Sequence, residues 1–505
     1  MNYPVWEVPK LGGAWVIGMI SIFHVLIAWF AVGGGLYLPV AESKLYREKR
    51  ESWLPVLMKH SRFFLVLTSV FGAVSGVGIW FAIGLVHPEA TSTLIHNFVF
   101  GWAIEWVFFV VELAAAAVYY YTWNRIPREL HLKVGYLYAV SSFLTLVIIN
   151  GILSFMLTPG RAWLKVAGTG AEASRFWWAF FNPTYFPSLI MRILACLSLA
   201  GIYALVTYSR TEVTDPQMRK HKVAMIRWSA RWLLPMFLLM PLVLLWFLHQ
   251  VPAENRGLLE LGMNTIGSGA FTQVTRISML TIITTITIAG VVYLFAYKWP
   301  NDLSPGHAAA ILGLAVIATA STEYARETVR KPYVIGAHMY SNGVRKRDVD
   351  RMNQEGYLTH SIWTPPAASQ VVAGNAVFRG ECMSCHTVSG YRSIVRLLQG
   401  RNQKAIGQFL DTLHKPTRES PYVKYMPPLV GTQTEIDDLA AYLAKVSNAP
   451  PAPPAPVAPP VAAPGAAPAA APGVAPLGAP LGAPQPAQPA PVLPAAPPQK
   501  PVALR

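Results

Sequence analysis

Charged side chains are scarce in this chain of 505 residues, of which 13% are Asp, Glu, Lys or Arg and 53% are hydrophobic. An average soluble domain is about 25% charged, so this composition excludes a soluble multidomain enzyme and indicates a membrane protein. The net charge of +16 could suggest nucleic acid as a partner. The basic residues, however, stand mostly in short loops between apolar runs, where they set membrane topology. We therefore expect contact with membrane lipid and none with nucleic acid.

Cysteine is rarer still, with three in the chain. No disulfide framework is indicated, and Cys196 lies in an apolar run typical of a small buried hydrophobic residue. The other two belong to Cys382-Met383-Ser384-Cys385-His386, whose C-x-x-C-H spacing is typical of covalent c-type haem attachment. Both sulfurs can then reach one edge of the macrocycle while His386 becomes the proximal iron ligand. The alternatives are a chance match and a zinc or redox C-x-x-C.

The residues around this motif favour haem. An amphipathic stretch, 374–378, precedes it, and a helical run over 435–446 follows. Between them lies Tyr425-Met426-Pro427-Pro428, about forty residues after the motif. Met426 could supply a thioether as second axial ligand, which gives a low-spin electron carrier of raised potential. The stretch resembles the class I cytochrome c family, which implies one covalent haem c on Cys382 and Cys385 with His386 and Met426 on the iron.

Long apolar runs dominate the first two thirds of the chain. A run of about 20 residues crosses a bilayer as a helix, the form that satisfies its backbone polar groups in lipid without closing a barrel. We predict eight spans, at 14–40, 62–86, 98–122, 132–157, 185–208, 229–250, 270–297 and 306–325. The expected fold class is all-α, a polytopic membrane bundle followed by a small all-α domain.

Loop charges predict the orientation of these spans. The first, third and fifth loops carry clusters of Lys and Arg, whereas the second loop, 87–97, has neither. The fourth loop, with three basic residues, fits the alternation least well. Basic loops face the cytoplasm, so the N-terminus is expected outside a bacterial cell membrane. Eight spans return the chain to the outside, where c-type haem is attached in bacteria.

Composition divides the chain into four parts. We predict a transmembrane domain over 1–332, a polar basic connector over 333–368 and a cytochrome c domain over 369–448. Residues 449–505 are almost entirely Pro and Ala and cannot bury a core, so a disordered tail rich in polyproline II is expected.

Ionisable side chains inside the predicted spans are costly in lipid and therefore mark candidate functional sites. His24 lies in the first span, where it could ligate haem iron or hydrogen-bond a neighbouring helix. Glu105 and Glu112 lie seven residues apart in the third span, so both face one way about 10 Å apart. Two carboxylates on one stripe favour a cofactor pocket or a proton route. Arg192 could pair with a glutamate or a haem propionate, and Arg276 is expected to reach an interface.

The end of the eighth span carries the densest charge. It reads Glu327-Thr328-Val329-Arg330-Lys331-Pro332-Tyr333. The simple interpretation is a salt-bridged helix end at the interface. The stretch is also similar to the E-x-G-R-Q-P-W motif in subunit I of the cytochrome bd quinol oxidases. His24 with Gly33-Gly34-Gly35, and Glu105 with its aromatic neighbours and a second glutamate, resemble further motifs of that family, over about residues 1–340.

By this resemblance, His24 and Glu327 are axial ligands of two non-covalent haems of b or d type. Glu105 and Glu112 line their pocket or its proton route, and Arg330 binds the cofactor. The resemblance also implies a second membrane subunit.

The chain departs from that family at its electron entrance. The fifth span has no His for the low-spin b haem, and Met279 alone cannot replace the expected His and Met pair. We therefore expect that haem to be absent or held otherwise, with His249 and Met191 as weak candidates. The large quinol-binding loop is reduced to 251–269, and the C-x-x-C-H domain stands where a ninth span is expected.

These departures suggest that haem c has taken over electron entry. The leading hypothesis is a cytochrome c-linked, bd-type oxidoreductase of a respiratory chain that exchanges electrons with a protein on the outer side and reduces oxygen to water. The alternatives are a non-catalytic electron-relay subunit, a quinol dehydrogenase that delivers electrons to haem c, and a structural subunit with inactive haem sites.

Overall fold

The computed structural model describes residues 6–252, 270–361, 369–417 and 420–448. Its described part contains eight helices long and apolar enough to cross a membrane, which confirms the predicted multi-pass bundle. They are α1 (Gly13–Arg47), α2 (Glu51–Val86), α3 (Pro88–Tyr121), α4 (Arg128–Phe155), α5 (Tyr185–Ser209), α6 (Pro216–Gln250), α7 (Thr275–Lys298) and α8 (Pro305–Arg330). The predicted Pro/Ala tail and most of the shortened loop, 253–269, lie outside the described residues.

The helices run beyond the predicted apolar runs because polar residues continue and cap them. α1 extends to Arg47, past the predicted end at residue 40. α6 begins at Pro216, where the Asp215 carboxylate accepts the backbone N–H of Met218 at 2.7 Å. α8 begins after Ser304, whose hydroxyl accepts the N–H of His307 at 3.2 Å. It ends before Pro332, which has no N–H to continue the helix.

Shorter elements join and follow the spans. The region between α4 and α5 holds two short helices and a 3₁₀ turn, Arg161–Leu164, Phe176–Phe180 and Glu172–Arg175. α2 and α7 contain π-helical stretches at Leu67–Gly72 and Val292–Lys298. The remaining turns are 3₁₀ at Lys346–Asp348, Leu358–His360 and Pro421–Lys424, and π-helical at Phe378–Cys382. Two short strands, β1 (Tyr333–Ile335) and β2 (Met339–Tyr340), pair antiparallel after α8.

α1 lies at the centre of the membrane bundle, and its glycine run allows close packing. A Cβ atom at Gly33 would overlap the backbone carbonyl of Cys196 in α5. A Cβ atom at Gly35 would overlap the ring of Tyr138 in α4. Glycine therefore lets a backbone and an aromatic ring approach α1 from two sides, and this approach positions Tyr138 for the site described below.

A second hydrophobic core belongs to the C-terminal helical domain. Its helices are α9 (Val349–Glu355), α10 (Gln370–Val377), α11 (Ile394–Leu398), α12 (Gln403–His414) and α13 (Gln433–Asn448). Tyr357 and Leu358 pack into this core although they precede the predicted domain start. Glu435 on α13 accepts their backbone N–H groups at 2.9 and 2.8 Å, which fixes this part of the predicted connector against the domain.

The C-terminal helical domain packs against one end of the membrane bundle. The N–H of Tyr391 donates to the Lys10 carbonyl at 2.8 Å, and the ring of Tyr391 meets that of Trp15 edge-on at 5.6 Å. The Lys10 ammonium donates to the Ser389 hydroxyl at 3.2 Å. α1 begins and α8 ends at this side. We call it the domain-bearing face, and the other side the opposite face.

Candidate haem sites

His386 is held in the orientation that a haem ligand needs. Its Nδ1 lies 3.0 Å from the backbone carbonyl of Arg392. A carbonyl can only accept, so Nδ1 carries the proton and Nε2 keeps its lone pair. Ligating histidines commonly use this arrangement, because the second bond fixes the tautomer and the ring. The geometry therefore fits a proximal iron ligand at Nε2.

The other three predicted haem c residues lie in the C-terminal helical domain with His386. Cys382 and Cys385 are half-buried free thiols, and both Cys382 and Met426 pack at the edge of the domain core. Met426 also lines a cleft between the domain and the β1–β2 hairpin. Glu381, beside Cys382, is 6% exposed and accepts the N–H of Val430 at 2.9 Å. Burial raises the pKa of Glu381 well above its usual range.

One lysine connects the C-x-x-C-H loop to the end of α8. The ammonium of Lys331 lies 3.8 Å from Cys385 Sγ and 3.2 Å from Glu327 Oε1. Lys331 thus contacts a predicted haem-attachment residue and a predicted haem ligand at once. No role for Lys331 was predictable from the sequence, because its contact with Cys385 joins residues 54 positions apart.

His24 is oriented in the same way as His386 but by a side chain. Its Nδ1 lies 3.0 Å from the hydroxyl of Ser75 in α2. The hydroxyl of Ser75 donates its own proton to the Phe71 carbonyl at 2.6 Å, so its oxygen accepts from His24. Nε2 of His24 is then the nitrogen with a lone pair for iron. Gly76 packs beside the ring, where a Cβ atom would come within 3.2 Å of Cε1.

The predicted second iron ligand lies in a charged cluster at the end of α8. Glu327 is ion-paired with Arg330 and Lys331, and its side chain is 44% exposed. Arg330 is buried, donates to Met156 Sδ at 3.5 Å, and leaves its Nε without a partner among the described residues. A buried guanidinium nitrogen without a partner fits an anionic group such as a haem propionate. The salt-bridged helix end and the predicted haem site therefore involve the same residues.

The other predicted charges near this cluster make local bonds. Glu323 pairs with Arg326 at 2.7 Å, one turn before Glu327 and Arg330. Arg192 Nε donates to the Ser188 hydroxyl of its own helix at 3.3 Å. Arg276 is exposed near the start of α7, and its place at an interface stays a prediction.

Glu105 and Glu112 have different surroundings on α3. Glu112 is 8% exposed and accepts a hydrogen bond from the Tyr138 hydroxyl at 2.8 Å. The same hydroxyl lies 3.2 Å from the Ala31 carbonyl of α1. Glu105 is half-buried and makes no hydrogen bond or ion pair within the described part of the chain. Glu112 is thus a fixed carboxyl, whereas Glu105 is free to take a partner.

A buried acidic network near the opposite face is not among the sites predicted from the sequence. Glu42 is 1% exposed and contacts His131 of α4 at 2.9 Å and the Tyr119 hydroxyl of α3 at 2.7 Å. The predicted first span ended at residue 40, which left Glu42 in a loop. A His and a Glu near the ends of two apolar runs were the available signal.

Haem iron takes its protein ligands one or two at a time, so a haem site needs no cluster of ligands. Among the residues with described positions, no group of three or more His, Cys, Asp or Glu that could hold a bare metal ion occurs.

Comparison with known proteins shows which family the membrane part of the chain resembles. Residues 14–254 match the model of the family "Cytochrome bd terminal oxidase subunit I". The chain contains a cytochrome bd oxidase subunit I domain. Members of this family are membrane haem oxidoreductases of respiratory electron transport that bind b- and d-type haems. No curated protein matches the chain in sequence.

The fold agrees with the bd oxidase family. The bd oxidase from Geobacillus thermodenitrificans superposes with a TM-score of 0.53 at 14% sequence identity. The superposition covers 65% of this chain and 89% of the other. At this identity the likeness establishes the arrangement of helices, and the roles of single residues are argued from the contacts above.

His249 and Met191, the weak candidates for the family's low-spin haem, and Met279, which alone cannot replace the expected pair, lie on three different helices. His249 is exposed near the end of α6, and Met279 is 56% exposed on α7. Met191 is half-buried on α5. The absence of that haem stays a prediction.

Proposed function

We propose that this protein is a cytochrome c-linked, bd-type oxidase, in which electrons from an external protein enter at the C-terminal helical domain and reach the bd oxidase domain. Haem iron, when bound, supplies electron transfer and a coordination position for oxygen. Cys382 and Cys385 would attach haem c, with His386 and Met426 on its iron. His24 and Glu327 would hold the non-covalent haems.

The shared contact of Lys331 is the observation that carries this proposal. A thiol of the C-x-x-C-H motif and the carboxylate of the α8 motif lie 3.8 and 3.2 Å from one ammonium group. Both proposed cofactor sites therefore adjoin the same charged group. A cytochrome c domain that only served as a tethered soluble carrier would not need its haem-attachment loop beside Glu327.

Arg330 and the two glutamates of α3 have supporting roles in this proposal. The buried guanidinium of Arg330 would bind a propionate and hold Glu327 in place through their ion pair. Glu112, fixed by Tyr138, and Glu105, without a described partner, would hold and pass the protons that oxygen reduction consumes.

Oxygen uptake by the purified protein tests this proposal. Reduced cytochrome c is added as the donor, and the rate is compared with that of Glu327→Gln. We expect uptake by the wild type and its loss in the variant, because an amide is a poor iron ligand. Glu323→Gln is the matched control, one turn away and paired with Arg326.

Spectra separate the oxidase from the electron relay. A reduced-minus-oxidised spectrum with haem extraction counts c, b and d haems, and carbon monoxide shows whether any iron has an open position. If all haems are six-coordinate and bind no carbon monoxide, and the protein takes up no oxygen, the electron-relay function is established instead.

The proposed function requires an orientation in the membrane and a second subunit. The domain-bearing face would be the outside of the bacterial cell membrane, as the basic loops predict. The proposed second membrane subunit could bind the apolar surface of α6, where Leu238, Leu242 and Leu245 are 64 to 77% exposed. Copurification from a native membrane tests for this subunit.

A further inference from the structure

Residues 6–12, which precede α1, lie between the membrane bundle and the C-terminal helical domain. We call them the docking segment. The N–H of Trp6 donates to the Leu85 carbonyl near the end of α2 at 2.9 Å, and the N–H of Gly12 donates to the Val8 carbonyl at 2.9 Å. These two bonds attach the segment to α2 and close a turn directly before α1. The segment therefore has a fixed shape on the bundle.

The loop that follows the C-x-x-C-H motif packs along the docking segment. The N–H of Tyr391 donates to the Lys10 carbonyl at 2.8 Å, and the Lys10 ammonium donates to the Ser389 hydroxyl at 3.2 Å. A Cβ atom at Gly390 would overlap the Lys10 backbone, so this approach requires a glycine. Gly390 is needed for space alone, because its backbone lies outside the left-handed region. Two segments of chain thus meet backbone to backbone at Lys10.

The same loop also orients the proposed iron ligand. His386 Nδ1 lies 3.0 Å from the carbonyl of Arg392, the residue directly after Tyr391. The Thr387 hydroxyl donates to the Tyr391 carbonyl at 2.9 Å and accepts the N–H of Gly390 at 2.8 Å. These bonds close the loop on itself, so we expect it to move as one unit with the His386 ring.

The docking segment leads directly into the helices of the proposed membrane haem site. α1 begins at Gly13 and carries His24 about 16 Å further along. α2 carries Ser75, which orients His24. The ring of Trp15, in the first turn of α1, meets the Tyr391 ring edge-on at 5.6 Å. One short segment therefore joins the loop of one proposed haem ligand to the helices that hold and orient the other.

We propose that the docking segment sets the position of the C-x-x-C-H loop relative to the His24 site, so that Lys10 and Gly390 are positioning residues for electron passage into the bundle. This inference rests on the proposed function, in which electrons leave the C-terminal helical domain for the bd oxidase domain. Electron transfer slows steeply as the separation of two cofactors grows, so a small displacement of the loop lowers the rate. The segment is neither oxidised nor reduced, and each electron that leaves the domain arrives in the bundle.

The contact of Lys331 with Cys385 is the competing explanation for docking. It approaches the motif from the end of α8, whereas Lys10 contacts the loop after the motif. If Lys331 alone positioned the domain, a change at Gly390 would leave the rate unchanged. If residues 6–12 served only to fold the domain, a change there would damage the haem c site itself. The two alternatives therefore predict different results for the same variant.

Two variants displace the loop from the two sides of the contact. Gly390→Ala adds a methyl group where the Lys10 backbone lies. Gly12→Val changes the docking segment alone. Gly12 has a φ of +76°, which a β-branched residue rarely adopts, and a Cβ atom there would lie 3.2 Å from the Thr387 methyl group. Gly407→Ala, in the same domain, is the matched control, because a Cβ atom there meets no other part of the described chain within 4 Å.

The full-length protein is mixed rapidly with reduced cytochrome c without oxygen, and haem c and the buried haems are followed by their separate absorption bands. Both should become reduced in the wild type. In Gly390→Ala and Gly12→Val, haem c should keep its spectrum and its rate of reduction, while the buried haems are reduced about tenfold more slowly or more. Hydrogen exchange should rise at 387–392, because the N–H of Tyr391 loses its acceptor. Gly407→Ala should match the wild type in all three measurements.

The remaining outcomes are each decisive. Normal reduction of the buried haems together with raised exchange, in either variant, overturns the positioning role. Unchanged exchange in both variants overturns the contact at Lys10 on which the inference stands. A haem c spectrum altered in both variants shows that the segment maintains the haem c site and also overturns the positioning role. A wild type whose buried haems stay oxidised contradicts the proposed electron entry instead, and hydrogen exchange then still tests the contact.

Discussion

Two histidines at the candidate haem sites are oriented alike by partners of different origin. His386 donates to a carbonyl six residues away in its own loop, whereas His24 donates to a hydroxyl 51 residues away on another helix. The bond that orients His386 forms within one short loop. The bond that orients His24 exists only when α1 and α2 pack side by side. The difference teaches that the C-terminal site can withstand changes in the bundle, while the membrane site depends on packing.

The largest effect is expected at the C-x-x-C-H motif. Replacing both Cys382 and Cys385 by Ser should abolish covalent haem, because no thioether bond can form without a thiol. Haem staining of the denatured protein after electrophoresis measures the loss. Cys196→Ala is the control, since this third cysteine is buried in α5 and should leave the staining intact. Covalent haem in the double variant would contradict the assignment of the motif.

The second largest effect is expected at the His24 site, which depends on the packing of α1 against α2. His24→Ala should remove one non-covalent haem and leave haem c in place, because the two sites share no residue. The ratio of extractable to covalent haem in the purified protein measures this change. His96→Ala is a matched control, since His96 also lies near a serine, Ser92, but is exposed on α3. An unchanged haem ratio in His24→Ala would remove His24 from the ligand set.

The comparison also explains which features the sequence could predict. The C-x-x-C-H motif and the apolar runs depend on neighbours along the chain, so the motif and the eight helices were predictable. Ser75 and Tyr138 look like ordinary polar residues in apolar runs, and their partners lie on other helices. Glu42 was not predicted as a membrane residue, because the first span was expected to end at residue 40. Helix-forming residues continue α1 beyond this apolar run to Arg47.

A smaller effect separates the ligand from the residue that orients it. Ser75→Ala should weaken haem retention by about 10- to 100-fold, as is typical when the partner of a ligating histidine is removed. Loss of haem during dilution, followed by the visible spectrum, measures it. Ser75→Thr keeps the hydroxyl and should retain most of the haem. If Ser75→Ala loses no haem while His24→Ala does, the orientation of His24 is set by something other than this bond.

The smallest expected effect concerns the contact that joins the two regions. Lys331→Gln removes the ion pair with Glu327 and the ammonium beside Cys385. The contact beside Cys385 is the one that crosses between the two regions. A contact of this kind contributes roughly 1 kcal/mol, so docking of the domain for electron transfer should weaken about fivefold. Rapid mixing with reduced cytochrome c should show buried haems reduced about fivefold more slowly, while haem c itself is reduced at the normal rate. Lys331→Arg keeps the charge and should restore most of the rate. Slower reduction of haem c as well would mean that Lys331 acts on the external donor rather than between the two regions.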